Sequence, residues 1–315
     1  MMNISLRALR YVVATADSGN LTEAARRLNV SQPSISAAIA QFEAGCGVQI
    51  FVRHHGKGVT TTIAGTRIIN EARLLLNHAR DFGQNAQAMA DEVRGEIAVG
   101  CFWTIATHFM PSLLSGFAEN HPGITVSLDE GDQQLILDAL ISGRTEIALS
   151  YEFARPEEIV AEPLAELSPY AVLHVDHPLA RRDSVSMADL RDEPFILLDL
   201  PHSRDYFMSL FRSVGIEPQI VFRSRAYELT RGLVGHGRGY TIQNVLPRTQ
   251  TTHDGGRVAS VPITDRLEPV RVVSLRLRRQ APRPAVEVFA RHLKSSFSPG
   301  GVFAPGTLSP TRTVR

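Results

Sequence analysis

The stretch Leu21–Glu43, LTEAARRLNVSQPSISAAIAQFE, reads as two short helices joined by a tight polar turn. Asn20 precedes it, offering a side-chain oxygen to the unpaired amides of the first turn, and Glu23 stands where it can return the bond. Leu21, Ala24, Ala25 and Leu28 make an apolar stripe at helical spacing, with Glu23, Arg26 and Arg27 on the outer face. Asn29, Val30 and Ser31 form the turn. Ser31 caps the second helix, which tolerates Pro33 in its first turn because an amide there has no helical partner to lose. Ile35, Ala38, Ile39 and Phe42 supply the buried face of that helix. Gln32, Pro33, Ser34, Ser36 and Ala37 leave a small, mostly polar surface near its N-terminus, the end that a recognition helix presents to base edges in a major groove.

Any helical hairpin in a globular core would share that periodicity. The wording AARRLNVSQPSIS, followed by VQIFVR and then TTTIAG, is more specific: it resembles the winged helix-turn-helix signature of LysR-type transcriptional regulators. The resemblance is strong through about residue 95 and more diffuse to about residue 295. It implies an N-terminal all-α winged helix-turn-helix with a long linker helix, and a C-terminal α/β two-lobe effector domain like the periplasmic binding proteins. It also implies a homodimer or homotetramer on promoter DNA, tuned by a small-molecule effector, a metabolite for which an anion is one candidate. A basic residue common in the family is replaced here by Ala37, and another near Ala40 is missing. Gln32, Ser34, Ser36 and the wing, or the assembly of several subunits, must then carry more of the DNA contact.

The chain has 315 residues, room for two or three domains, and its 43% hydrophobic content is that of a globular protein. No apolar run reaches membrane-spanning length, and MMNISLRALRYVV lacks the small-residue cleavage region of a signal peptide, so a cytoplasmic location is expected. Net charge of +1 is no nucleic-acid signature by itself. The N-terminal module is locally basic: Arg7, Arg10, Arg26, Arg27, Arg53 and Lys57 outnumber Asp17, Glu23 and Glu43. Cys46 and Cys101 fall in different expected domains and form no paired motif, which reads as two ordinary thiols.

Ile4–Thr15, with Leu6, Leu9, Val12 and Val13, reads as a helix behind the hairpin, ended by Ser18–Asn20. Val48–Val52 and Val59–Thr60 flank a glycine-rich turn, a hairpin wing whose Arg53, His54 and Lys57 are positioned for phosphates. Its paired histidines have no carboxylate or cysteine at ligand spacing, so no metal is expected. In 62–93 the residues Ile69, Ala72, Leu76, Ala79, Phe82, Ala86, Met89 and Val93 recur at three- and four-residue steps, a coiled-coil seam suited to pairing two subunits. After Arg94 and Gly95, strands and helices alternate, which predicts mostly parallel sheets with helices on both faces. The expected boundaries are 1–61, 62–93 and 94–295, with lobe I at 94–162 and 267–295, lobe II at 163–266, and hinges near Glu162 and Arg266. A Pro-, Gly- and Ser-rich tail, 296–315, is expected to be disordered.

Loops after parallel strands, where helices begin, make an anion-friendly cleft. Four would converge here, and in the family such loops surround the effector. The candidates are Cys101, Phe102, Trp103 and Thr104; Tyr151; Asp199 and Arg204; and Arg225 and Tyr227. Thr104 suits a hydroxyl donor, Arg204 or Arg225 a carboxylate clamp, and Trp103 and Tyr151 apolar walls. Enzyme readings fare worse. His202, Ser203 and Asp205 sit together without a G-x-S-x-G elbow, and Gly235, Gly237 and Gly239 precede a strand where a dinucleotide fingerprint follows one. His174 and His177 lie in HVDHPLARRD, similar to a loop common in the family's second lobe. The chain is read as a regulator without catalysis, cofactor or metal; the alternative is a small-molecule-binding or enzymatic α/β domain carrying a degenerate, non-binding helix-turn-helix.

Overall fold

The computed structural model describes residues 4–54, 58–87, 93–247, 249–278, 282–304 and 308, with the backbone alone for 81 and 84–87. The N-terminal module comprises α1 (Leu6–Ser18), α2 (Leu21–Leu28), α3 (Gln32–Cys46), the antiparallel strands β1 (Phe51–His54) and β2 (Gly58–Thr61), and α4 (Ile63–Gln87). Leu9, Val12, Ala24, Ile35, Ile39, Ile50, Ile69 and Ala72 share one core. Leu6 was expected in it but is exposed, and Tyr11 is buried instead, because α1 starts at Leu6 and turns its second and third turns inward. Asn20 caps α2 as expected, accepting from the amides of Thr22 and Glu23. Glu23 does not return the bond; its carboxylate takes Arg26 instead. Ser31 accepts the Ser34 amide at 3.3 Å, with Pro33 in the first turn of α3. The base of the wing is fixed by the Val59 amide donating to the Gly19 carbonyl at 2.8 Å. Gly58 permits this, since it sits at φ +86° and a Cβ there would lie 2.3 Å from that same oxygen.

The apolar stripe of α4 divides. Ile69 and Ala72 are spent inside the subunit, with Leu76 packed against the same core, whereas Phe82 is 77% exposed. The side chains of Ala86 and Met89 lie outside the described residues.

Lobe I is a five-stranded sheet in the order β4-β3-β5-β12-β6, built from β3 (Gly95–Phe102), β4 (Ile124–Gly131), β5 (Ile147–Tyr151), β6 (Ile159–Leu167) and β12 (Val270–Leu277). It is flanked by α5 (Trp103–Asn120), α6 (Gln133–Ile141) and α9 (Pro284–Phe297). Lobe II contains β7 (Tyr170–His174), β8 (Phe195–Leu198), α7 (Ser203–Ser213), β9 (Ile220–Ser224), α8 (Tyr227–Gly235), β10 (Thr241–Gln243) and β11 (Val258–Pro262). β8 pairs with β9, β7 lies between β10 and β11, and a parallel bridge from Phe195 to Tyr240 joins the two sets in the order β9-β8-β10-β7-β11.

Three expectations change. The sheets are mixed rather than mostly parallel: β3 pairs in parallel with β4 and β5, while β12 is antiparallel to β5 and β6, and β7 to β10 and β11. Glu162 is not at a hinge; it pairs with Ser274 within β6, so the crossovers fall at 168–169 and 263–269. The tail expected to begin at 296 is structured through 304: α9 runs to Phe297, and Phe303 is buried, edge-on to Phe109 at 4.8 Å. That return turn depends on Gly301, where a Cβ would lie 2.3 Å from the Ser295 carbonyl oxygen. No helix among the described residues is long and apolar enough to cross a membrane.

Candidate effector cleft and DNA-facing surface

On α3, Gln32, Pro33, Ser34 and Ala37 are exposed and Ser36 is half-buried. The Ser34 hydroxyl is already shared with Ser31 at 2.7 Å, so Gln32 is the side chain of this group with the longest unengaged reach. Arg53 and His54 are exposed on β1, and His54 bonds the Thr60 hydroxyl across the wing at 2.8 Å. Lys57 lies outside the described residues.

The carboxyl ends of the strands meet between the lobes. A cavity of about 690 Å³ opens there, lined from lobe I by Trp103, Thr104, Thr107, His108 and Glu130, and from lobe II by Arg225, Tyr227, Glu228, Arg231 and His253. Leu246, Pro247, Val302, Phe303 and Leu308 add apolar walls. Behind it lies a chamber of about 30 Å³, which shares Thr104, Tyr227 and Val245 with the cavity and adds Tyr151, Ser203, Tyr206 and Gln243.

Of the residues expected here from sequence, Trp103, Thr104, Tyr151, Arg225 and Tyr227 line one space or both. Thr104 and Tyr151 are joined hydroxyl to hydroxyl at 2.8 Å. Burial raises the Tyr151 and Tyr227 phenols far above their ordinary range, so both stay protonated. Cys101 and Phe102 are not in the lining. Both are wholly buried in the lobe I core, since β3 continues through Phe102 before α5 begins. Burial, reinforced by Glu130, pushes the Cys101 thiol up, away from the reactive thiolate. Asp199 and Arg204 also miss the lining and pair with each other at 2.5 Å, with Arg223 3.6 Å from the same carboxylate.

Sequence reading missed Arg231, His108, Tyr206 and Gln243. Arg231 lies one helical turn after Tyr227, a signal that was available. It is buried, bonds Glu228 at 2.7 Å and the Thr249 carbonyl at 3.0 Å, and leaves its Nε without a partner among the described residues. His108 sets its ring against Tyr227 across the lobes at 4.8 Å and bonds the Thr104 carbonyl at 2.7 Å. Burial lowers its pKa, outweighing the bond to the Thr104 carbonyl, which raises it, and Arg231 adds to the lowering. At the start of α7 the Ser203 amide donates to the Pro201 carbonyl at 2.8 Å, closing a tight turn that holds His202 at φ +64°. That strained turn delivers Ser203 to the chamber.

A winged helix-turn-helix joined through a long helix to a two-lobed domain with an interlobe cavity defines a ligand-responsive DNA-binding regulator. Residues 6–66 match the bacterial regulatory helix-turn-helix protein, lysR family, and residues 90–298 match the LysR substrate binding domain. The chain is 31% identical over 242 residues to the HTH-type transcriptional regulator ClcR of Pseudomonas putida, covering 76% of this chain and 82% of ClcR. Its fold is similar to that of HinK, a LysR family transcriptional regulator from Pseudomonas aeruginosa, at 35% identity and a TM-score of 0.65 over 96% of this chain and 100% of HinK. A full-length OxyR variant from Pseudomonas aeruginosa aligns at 25% identity and a TM-score of 0.74, covering 93% and 98% of the two chains. The chain belongs to the LysR family: it is a DNA-binding transcriptional regulator with an effector-binding C-terminal domain, and not an enzyme.

Proposed function

We propose that this regulator acts in the cytoplasm on a near-palindromic promoter site, which two subunits paired along α4 contact through Gln32, Pro33, Ser34, Ser36 and Ala37 on α3 and Arg53 and His54 on the wing. The effector enters the interlobe cavity and is held by Thr104 and Trp103 from one lobe and Tyr227 and Arg225 from the other. The single observation that carries this reading is that one cavity of about 690 Å³ is walled by both lobes, so a ligand that fills it favours the closed arrangement over the open one. The rim carries both signs of charge, Arg225 and Arg231 against Glu130 and Glu228, with Arg231 and Glu228 already paired at 2.7 Å. Such a rim orients a polar ligand by hydrogen bonds and leaves Arg225 as the cation for an acidic group.

The exposed Phe82 supports pairing along α4, because an apolar side chain that is 77% exposed on a long helix needs a partner surface. A footprint of the purified protein upstream of its own gene, at two salt concentrations, tests the whole reading. Protection in two stretches about one helical turn apart is expected, lost at high salt as phosphate contacts are screened. Full protection that is indifferent to salt, or none on promoter or randomised DNA, would remove the DNA assignment.

A further inference from the structure

We propose that the chamber behind the cleft receives an uncharged, hydrogen-bonding tip of the effector, a carboxamide or a hydroxyl, and that Gln243 reads it. The proposal rests on the interlobe cavity being the effector site and adds what kind of group the ligand must carry.

Gln243 ends β10, is 1% exposed, and among the described residues has no hydrogen-bond partner for either its amide nitrogen or its amide oxygen. Its neighbour Asn244, also in the lining, has its amide nitrogen engaged, donating to the Leu167 carbonyl at 2.9 Å and to the Tyr206 hydroxyl at 2.8 Å. Gln243 therefore keeps its amide nitrogen as a donor and its amide oxygen as an acceptor for something that enters the chamber, and an amide left bare inside a protein is costly. Phe153, Leu198, Phe207 and Val270 are among its apolar walls, and besides the Thr104–Tyr151 hydroxyl pair and Ser203 its polar side chains include Tyr206, Tyr227 and Asn244. Among the described residues, no Asp, Glu, Lys, Arg or His lines the chamber. A charged tip would lose its water there and find no counter-ion, whereas an amide or hydroxyl offers both a donor and an acceptor. The space of about 30 Å³ exceeds what one water needs and suits the few atoms of such a group. Thr104, Tyr227 and Val245 belong to the walls of both spaces, so a tip seated in the chamber lies next to a body held between the lobes.

The test uses the full chain and three probes of one shape: benzamide, acetophenone, which accepts but does not donate through its tip, and benzoate, which is charged. The chain's single tryptophan, Trp103, lines the cleft at 38% exposed and reports occupancy by fluorescence, with calorimetry as the second readout. Benzamide is expected to bind about tenfold tighter than acetophenone, the worth of one good hydrogen bond, and tighter than benzoate. Gln243→Met, which keeps length and removes hydrogen bonding, should erase the benzamide preference while the protein melts as before. Equal binding of the three probes by the unaltered chain would leave the cleft standing and overturn the role of Gln243. So would a preference that survives in Gln243→Met, or a variant that merely melts earlier with its preference intact, which is the behaviour of an amide bonded to structural water. If none of the probes perturbs Trp103 or releases heat, the cleft assignment falls and takes this proposal with it.

Discussion

Arg283 and Glu146 hold the densest ionic contact of the molecule's described residues. Their side chains are 2% and 3% exposed, the guanidinium meets both carboxylate oxygens at 2.6 Å, and it also donates to the Glu96 carbonyl at 2.7 Å. Removing one partner leaves a buried charge, which costs about 3–5 kcal/mol, while replacing both by apolar residues recovers much of that. Arg283→Met should therefore lower the urea midpoint sharply, and Arg283→Met with Glu146→Leu should restore most of it; a double variant as unstable as the single one would mean that the pair is worth more than its desolvation. His108 gives a pH dependence with a definite sign. Its folded pKa is lowered from 6.5 by burial, so its contribution to stability is complete above 6.5 and is lost as pH falls through the folded value. His292, also lowered by burial, acts in the same sense. Replacing His108 by Gln should flatten part of the stability loss measured between pH 7 and pH 5. At this scale the sequence showed which loops meet, because loops after parallel strands must. It did not show which residue in each loop turns inward: Phe102 is the last residue of β3 and faces the core, and Trp103 begins α5 and faces the cleft. Gln243 carries no signal of its role, since nothing in TIQNV marks an amide that is left without a partner among the described residues.

Elements with strong periodicity were legible and edge elements were not. α3 was found whole because a cap, a proline in the first turn and an apolar stripe all agree. Gln32→Ala should keep the helix, since Ala is the better helix former, and cost about 1–3 kcal/mol of operator discrimination. Competition binding with mutated half-sites measures this, and undiminished discrimination would move base reading away from Gln32. β6 is hard to read from sequence, because IVAEPLAEL contains a proline and pairs on one side only, against β12, with its faces half exposed; such a strand shows no clean alternation. β11, VASVP, is as hard to read, being short, ending in a proline and pairing on one side with β7. The long helix was legible as a helix, but its stripe serves two masters: Ile69 and Ala72 are inside the subunit and Phe82 is left for a partner. Phe82→Glu should shift the mass in solution toward the monomer with little change in melting, and an unchanged oligomer would place the pairing surface elsewhere.

The C-terminal domain repeats one plan twice, and the N-terminal module is joined to one of the copies. Each lobe places its strands in corresponding order, and each receives, as its fourth strand, one that follows a crossover from the other lobe, β12 in lobe I and β7 in lobe II. The crossovers are therefore built into the sheets, and relative movement of the lobes concentrates in 168–169 and 263–269. Tyr206 bonds the Glu268 carbonyl at 2.9 Å and takes the Asn244 amide at 2.8 Å, while Asn244 also bonds the Leu167 carbonyl, so both crossovers are tied to the cleft floor. For closure to reach DNA, a contact must join lobe I to the N-terminal module, and Arg73 on α4 makes one. Its guanidinium pairs with Asp17 at the end of α1 and donates to the Ser142 carbonyl after α6 at 3.0 Å. A second link, Arg80 to Glu96 at 3.0 Å, is half exposed and correspondingly weak. Coupling between sites is a free energy that both ends must share, so removing the link should alter the response and spare each binding event. Arg73→Ala is expected to bind a cleft ligand and promoter DNA with affinities close to those of the parent, while the ligand-induced change in footprint is lost or reduced several-fold. If the footprint still changes to the full extent, the signal bypasses this arginine and runs through the subunit interface instead.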